Sequence, residues 1–425
     1  MKRSIAMAIL LACLLSACAA KAPVEMISIT PIPTERPVPS PTLAPTPAPA
    51  ETPLPTATPG KRMATIGFVG DILIMTSQIS RAKQIDGSFD FSGSFQPMEG
   101  VFAGTGFVCG NFECTLSGAE AGYTEPKATL SPEETPSGKP NSQTFNAPDE
   151  LAGDLRRAGF DLLSTANNHC MDRGLEGLFR TAEMIRAEGM TQLGTFTDAA
   201  DAAAPRVVEV NGISIGFVAA ADYVNRGTPG MGEAKEYAAL LTREREKISS
   251  AIAACQEAGA EFIIVIIHWG TEHDGKQSPA QEKYADWLIS EGADAIIGSH
   301  PHVVQPMEWR SGERDGETVR APVAYSLGNF ISNMPQENCS YGAFARLTIE
   351  KEHGREAECT GFGFLPLLCS RESGEHAVYP CFATDEGERA RAFRHVVNTC
   401  GAKGILTIGR EEYAGKTQGL ESAKR

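Results

Sequence analysis

The feature that most restricts this chain is Phe262-Ile-Ile-Val-Ile-Ile267, six apolar residues in a row that end on His268. Side chains alternate between the two faces of a strand, so a strand apolar at every position must be covered on both faces. The same design recurs along the chain. Thr65–Val69 ends at Gly70-Asp71, and Thr105–Cys109 ends at Gly110-Asn111 with Glu113 just beyond. Phe160–Thr165 leads to Ala166-Asn167-Asn168-His169, Ala295–Ile297 to Gly298-Ser299-His300, and Val323–Tyr325 to Ser326 through Phe330.

Helix-spaced segments separate these runs. Residues 148–158 carry Leu151, Leu155 and Ala158 and stop at Gly159. Residues 175–188 and 243–258 stop at Gly189 and Gly259, and Ser278-Pro279-Ala280-Gln281 supplies an N-cap, a proline at N1 and a glutamine at N3 for a helix to about Glu291. Strands alternating with helices predict an α/β body whose sheets are covered by helices. Asn211-Gly212 between Val207–Val210 and Ile213–Ala219 predicts a tight hairpin, so the sheets are expected to be mixed.

Chemistry in such sheets gathers beyond the carboxyl ends of the strands. Only eight histidines are present. His169, His268, His300 and His302 all fall at strand ends, with Asp71 and Glu113 at two others. Nitrogen and oxygen donors together suit Mn, Fe or Zn. Ligands scattered over several loops suit a catalytic centre, and no CxxC pair points to a structural zinc site. His273 is an extra ligand, an orienting partner or a surface residue on this reading, and Trp269 a packing residue or a substrate platform.

Six blocks in order resemble the bacterial poly-gamma-glutamate capsule-synthesis (CapA-type) family, related to the calcineurin-like metallophosphoesterases. They are Gly70-Asp71, Asn111-Phe112-Glu113, Ala166 to His169 with Asp172 and Gly174, His268-Trp269-Gly270-Thr271-Glu272, Gly298 to His302, and Tyr325 to Phe330. The resemblance covers residues 63–335 and implies a four-layer α/β/β/α sandwich with mixed sheets around two divalent ions. It implies Asp71, Glu113, Asn168, His268, His300 and His302 as metal ligands and His169 as the acid serving the leaving group. Asn111, Asn167, Asp172, Glu272 and Asn329 are expected beside the metals or substrate. Metallophosphoesterases usually carry Asp-x-His on the first strand; here Ile72 and Leu73 follow Asp71, so one ligand is absent.

The implied function is a metal-dependent hydrolase-type site in poly-gamma-glutamate, capsule or other cell-envelope polymer production. Its partners would be an anionic polymer or phosphate-ester substrate and other capsule-synthesis proteins. The alternatives are a polymer-binding or export factor without catalysis, and a metallophosphoesterase acting on small phosphate esters.

The N-terminus reads as an address. Lys2-Arg3 precedes an apolar run from Ile5 to Leu15, then Leu15-Ser16-Ala17-Cys18, an export signal by its charge and length. The last four residues resemble a bacterial lipobox, which implies residues 1–18 as a lipoprotein signal peptide, a lipidated Cys18 and anchorage to the outer face of the cell membrane. Residues 31–59 hold eleven prolines and six threonines, so 19–62 is expected to be a disordered tether reaching on the order of 100 Å. Folding is expected to begin near Met63. Residues 115–145, rich in Ser, Thr, Pro and Glu, form an irregular insertion that is a lid or surface decoration. Residues 336–425 are expected to be a β-rich extension of the same body.

Net charge is −15, which argues against a nucleic-acid partner. Eleven cysteines are present, and one or two bridges among Cys339, Cys359, Cys369, Cys381 and Cys400 are compatible with export.

Overall fold

A computed structural model describes residues 60–124, 144–225, 227–374, 376–401 and 406–410. The signal segment, Cys18 and the tether as far as Pro59 lie outside the described residues, as does the middle of the 115–145 insertion. Among the described residues no helix is long and apolar enough to cross a membrane.

The chain builds two mixed sheets. β1 (Arg62–Ile72), β2 (Phe107–Phe112), β3 (Leu162–Ser164) and β4 (Thr191–Leu193) run parallel in the first. β5 (Arg206–Val210), β6 (Ile213–Ala221), β7 (Phe262–His268), β8 (Ala295–Ser299), β9 (Met307–Arg314) and β10 (Glu317–Ala324) form the second, in the order β5-β6-β7-β8-β10-β9. β11 (Asn329–Ile331), β12 (Tyr341–Lys351), β13 (Glu358–Ser370), β14 (Ala377–Pro380) and β15 (Leu406–Thr407) then return to the first sheet, whose main order is β14-β13-β12-β1-β2-β3-β4.

Helices cover the outer faces. α1 (Thr76–Ala82), α2 (Ser92–Phe95), α3 (Glu99–Ala103) and α4 (Glu150–Ala158) pack outside the first sheet. α5 (Gly174–Ala187) and the short α6 (Ala199–Ala203) follow β3 and β4. α7 (Arg245–Glu257) and α8 (Pro279–Ser290) cover the second sheet, and α9 (Gly387–Cys400) sends Val396 and Cys400 into the core between the sheets.

The two-residue period explains the layering. On β7, Phe262, Ile264 and Ile266 enter the inter-sheet core while Ile263, Val265 and Ile267 meet the helices outside. β12 does the same with Ala343, Ala345, Leu347 and Ile349 inward and Phe344 outward. A strand buried on both faces has no polar position to spare until it ends, which gives the four-layer α/β/β/α sandwich with mixed sheets.

Local signals produced the expected turns. Asn211 and Gly212 both take positive φ in the β5–β6 hairpin. Ser278 and Gln281 form a reciprocal capping box at the start of α8. Other expectations need correction. The second strand begins at Phe107 and continues through Gly110, Asn111 and Phe112, because pairing of Asn111 with Asp71 and of Phe112 with Ile72 outweighs the poor strand propensity of Gly and Asn. β1 begins at Arg62, one residue inside the expected tether. The C-terminal segment supplies β12, which lies directly against β1 in mid-sheet, so it is part of the core. The five late cysteines form no bridge; Cys339, Cys369, Cys381 and Cys400 are buried thiols and Cys359 a half-buried one.

One glycine fixes the spacing at the sheet ends. A Cβ on Gly298 would stand 2.0 Å from the Tyr325 carbonyl oxygen and 2.6 Å from Trp269 Nε1. Those two atoms form a 2.8 Å hydrogen bond. Gly298→Ala is therefore expected to wedge β8 away from the Tyr325 segment, destabilise by about 2–3 kcal/mol and displace His300. Thermal melting checks this: an unchanged midpoint would show that the strands have room for a methyl group.

Candidate metal centre

The carboxyl ends of parallel strands from both sheets converge, and the expected polar residues stand there. Gly70 makes the approach possible. A Cβ at that position would lie 1.8 Å from Gly328 O, and the Asp71 amide donates to that same oxygen at 3.0 Å. Asp71 is thereby placed opposite Asn329 on β11 and Asn111 on β2. Glu113 follows β2, His268 closes β7, and His300 and His302 follow β8 with φ of 100° and 60°.

These side chains form one buried cluster. Asp71 and Glu113 are fully buried, and His268, His300 and His302 are each 2% exposed. His268 Nε2 lies 2.9 Å from Asn168 Oδ1, 3.1 Å from His300 Nδ1 and 3.5 Å from Glu113 Oε1. His302 Nδ1 lies 3.0 Å from Asn329 Oδ1 and 3.1 Å from Asp71 Oδ2. The second distance is within ion-pair range, but Asp71 Oδ2 receives no hydrogen bond. Asn111 donates to Asp71 Oδ1 at 2.8 Å. Asn167 Nδ2 lies 3.3 Å from Asn111 Oδ1 and donates to the Phe112 carbonyl at 2.8 Å, holding the β2 end.

The donor set fits a divalent cation. Asp71 Oδ2 and both Glu113 oxygens are buried without a hydrogen-bond partner, an arrangement expensive for a carboxylate unless a cation faces it. Donor atoms of Glu113, His268 and His300 lie within 4.8 Å of one another, as do those of Asp71, Glu113 and His302. Glu113 belongs to both groups, so it stands where a bridging carboxylate would. Glu272, exposed on the loop after β7, forms a third group with His300 and His302.

Electrostatics agree with this reading. Burial, and then the neighbouring His300 and His302, hold His268 well below the ordinary imidazole value. Burial followed by His302 brings His300 down to about 4. Both are neutral nitrogen donors at pH 7. Burial, then the charge of Asp71, pushes the Glu113 carboxyl well up. Burial would lower His302, but its contact with Asp71 and the charges of Asp71 and Glu272 carry it above the usual value.

His169 stands beside this cluster. Its Nδ1 lies 2.7 Å from Asp172 Oδ2, which also accepts the Phe145 amide at 2.6 Å. The Phe145 ring meets the imidazole edge-on at 4.5 Å. Asp172 thus orients His169, and the far end of the 115–145 insertion packs on it. His273 is exposed; its amide donates to Pro301 O at 2.8 Å, and its ring lies 6.2 Å from His302. Trp269 is 2% exposed and stacks on Tyr325.

Sequence reasoning assigned no role to Ser299, Tyr223 or Asn225. Ser299 Oγ lies 3.0 Å from His268 Nδ1. Tyr223 OH lies 3.5 Å from His300 Nε2, and the Asn225 amide reaches His169 Nδ1 at 3.3 Å. Tyr223 and Asn225 follow the apolar β6, so the strand-end rule that marks the others applies to them; the strand extends to Ala221, two residues beyond the Ala219 expected from its apolar run.

Comparison with known proteins agrees with the motifs. The profile of the family described as bacterial capsule synthesis protein PGA_cap matches residues 65–334. The chain is 28% identical over 296 residues to the PGA biosynthesis protein CapA of Bacillus subtilis (strain 168), covering 69% of this chain and 70% of that protein. It is 29% identical over 191 residues to the capsule biosynthesis protein CapA of Bacillus anthracis, covering 44% of each. Among solved structures, the calcineurin-like phosphoesterase YfkN from Bacillus subtilis aligns over 80% of this chain and 98% of its own, with 15% identity and a TM-score of 0.41. With its six motif blocks inside the matched segment, this chain belongs to the bacterial capsule synthesis protein PGA_cap family.

Proposed function

We propose that this protein is a lipid-anchored, extracytoplasmic hydrolase-type enzyme, dependent on divalent metal, that acts in production of poly-gamma-glutamate or a related envelope polymer. The observation that carries the reading is that buried Asp71 Oδ2 and both Glu113 oxygens accept no hydrogen bond and stand among three imidazoles. The naming of its two Bacillus relatives as PGA and capsule biosynthesis proteins supports the pathway. Asp71, Glu113, Asn168, His268, His300 and His302 would hold two ions of Mn, Fe or Zn. Such ions supply a Lewis acid and an activated water at neutral pH.

The chain's own residues do the rest. Asp172 fixes His169 through Nδ1, so Nε2 is the nitrogen that hands a proton to a leaving oxygen. Asn329 and Asn111 hold His302 and Asp71 in place. An anionic substrate must be drawn by this local site, because the net charge of −15 repels it.

The test joins metal analysis of the purified protein to a hydrolysis panel of phosphodiesters, small phosphate esters and polyglutamate. Bound divalent ion and chelator-sensitive hydrolysis are expected; absence of any bound ion would overturn the reading. A second reading, a polymer-binding or export factor without turnover, is favoured by apolar, buried Leu73 where a donor would complete the β1 set. It would show bound metal and no hydrolysis. The anchor has its own test: Cys18→Ala should release the protein from membranes, and unchanged fractionation with no lipid label on the wild type would refute it.

A further inference from the structure

Two asparagines face the cleft histidines in the same way. Asn168 Oδ1 lies 2.9 Å from His268 Nε2, and Asn329 Oδ1 lies 3.0 Å from His302 Nδ1. Each spends its amide nitrogen elsewhere. Asn168 Nδ2 donates to Asn225 Oδ1 at 3.4 Å, and Asn329 Nδ2 donates to the Cys339 carbonyl at 3.0 Å. A carbonyl can only accept, so Cys339 fixes which end of the Asn329 amide faces the histidine. Asn329 is fully buried.

The strand register brings this oxygen into the group of Asp71, Glu113 and His302. Asn329 opens β11 and pairs in parallel with Asp71, whose amide donates to Gly328 O at 3.0 Å. His302 Nδ1 then has three oxygens around it: Asn329 Oδ1 at 3.0 Å, Asp71 Oδ2 at 3.1 Å and Glu113 Oε2 at 3.8 Å. One imidazole nitrogen carries at most one proton, which cannot serve three buried acceptors. Asp71 Oδ2 and Glu113 Oε2 accept no hydrogen bond. An amide oxygen that joins two carboxylate oxygens around one nitrogen is costly unless a cation faces the set. Donors 2.0–2.2 Å from one ion stand roughly 3–3.6 Å apart, which is the spacing of the nearer two oxygens from Nδ1. Beyond Asp71, β1 sends Ile72 and Leu73 into the outer apolar core, so the neighbouring donor comes from across the strand pair.

We infer that Asn329 is a metal ligand, forming with Asp71, Glu113 and His302 a donor set that matches the set of Asn168, Glu113, His268 and His300. The inference rests on the metal reading above. By itself the Asn329 contact steadies His302; with an ion bound, the amide oxygen and Nδ1 become neighbouring ligands. The β1–β11 pair thus presents a carboxylate and a neutral oxygen side by side, where β1 alone presents only the carboxylate.

The experiment is titration of the metal-free, purified full chain with Co²⁺ under reducing conditions, followed by calorimetry and by absorption spectroscopy. Wild type should take two ions. Asn329→Leu, which keeps the volume and removes the donor, should hold one ion at unchanged affinity. It should bind the other more weakly by a factor beyond the roughly 10–100-fold that loss of an orienting partner costs. His302→Ala should weaken that same ion, and His268→Ala the other. Asn329→Cys separates a ligand from an orienting residue, because a thiolate bound to Co²⁺ adds a near-ultraviolet charge-transfer band and a thiol that only contacts His302 does not. That band should appear in Asn329→Cys and be absent from wild type, and it keeps the inference testable if Asn329→Leu does not fold. Two ions of wild-type affinity in Asn329→Leu, or both ions bound to Asn329→Cys without the band, would overturn the inference and leave the metal reading intact. A single ion in the wild type would also overturn it. No ion in the wild type would overturn the metal reading itself, and this inference with it.

Discussion

Glu113→Gln is expected to strip the metal and, in the same protein, to stabilise the metal-free fold. The carboxylate is fully buried, both its oxygens lack a donor, and it shares the cleft with Asp71. Leaving such a group unsatisfied costs about 1–3 kcal/mol. A glutamine of the same shape carries no charge, and its amide can donate to the partnerless Asp71 oxygen. In chelator, the midpoint should rise by roughly 2–8 °C, while affinity for Mn²⁺ or Zn²⁺ should fall at least about 100-fold. The pH dependence has a definite sign. Burial raises the folded pKa of Glu113 above its unfolded value of about 4.3. The protonated carboxyl therefore favours folding below about pH 4, and that contribution is lost as pH rises toward the folded value. The glutamine does not titrate, so the gap between variant and wild type should close near pH 4 and widen toward neutrality. A metal-free variant that melts below wild type at pH 7 would show that the Glu113 oxygens are satisfied in solution.

His169→Ala should produce the opposite dissociation, with metal retained and turnover lost. His169 lies outside the three donor groups and is held by Asp172 at 2.7 Å. A positioned proton donor contributes about 10²–10⁴-fold, so hydrolysis should drop by that factor with unchanged metal content. Asp172→Asn keeps the shape but weakens the 2.7 Å contact that orients His169 through Nδ1, and should lower the rate in the same direction. Loss of metal from His169→Ala would make it a ligand; an unchanged rate would remove its role as acid.

How far the sequence reached follows from which forces are local. Strand runs, glycine stops, the Ser278 capping box and the Asn211-Gly212 hairpin are written in neighbouring residues, because their hydrogen bonds close within a few positions. The short helices α1 to α3 span only four to seven residues and carry too little periodic pattern to be seen. Their apolar residues are helical because the first sheet needs a cover.

By itself the sequence determined the α/β class, both faces of β7 being apolar, and which polar residues end the strands. It could also tell that β1 offers Asp71 and no later donor. Tertiary structure alone decided the rest. Asp71 meets Asn329 across 258 positions, His268 meets Asn168 across 100, and β12 rather than a terminal edge strand lies beside β1. Glu272, named by its motif but not paired there with any partner, comes to stand by His302 where Pro301 accepts the amide of His273. Side-chain periodicity says which face a residue takes, but only the register and crossing of strands distant in sequence set which strand ends share a cleft.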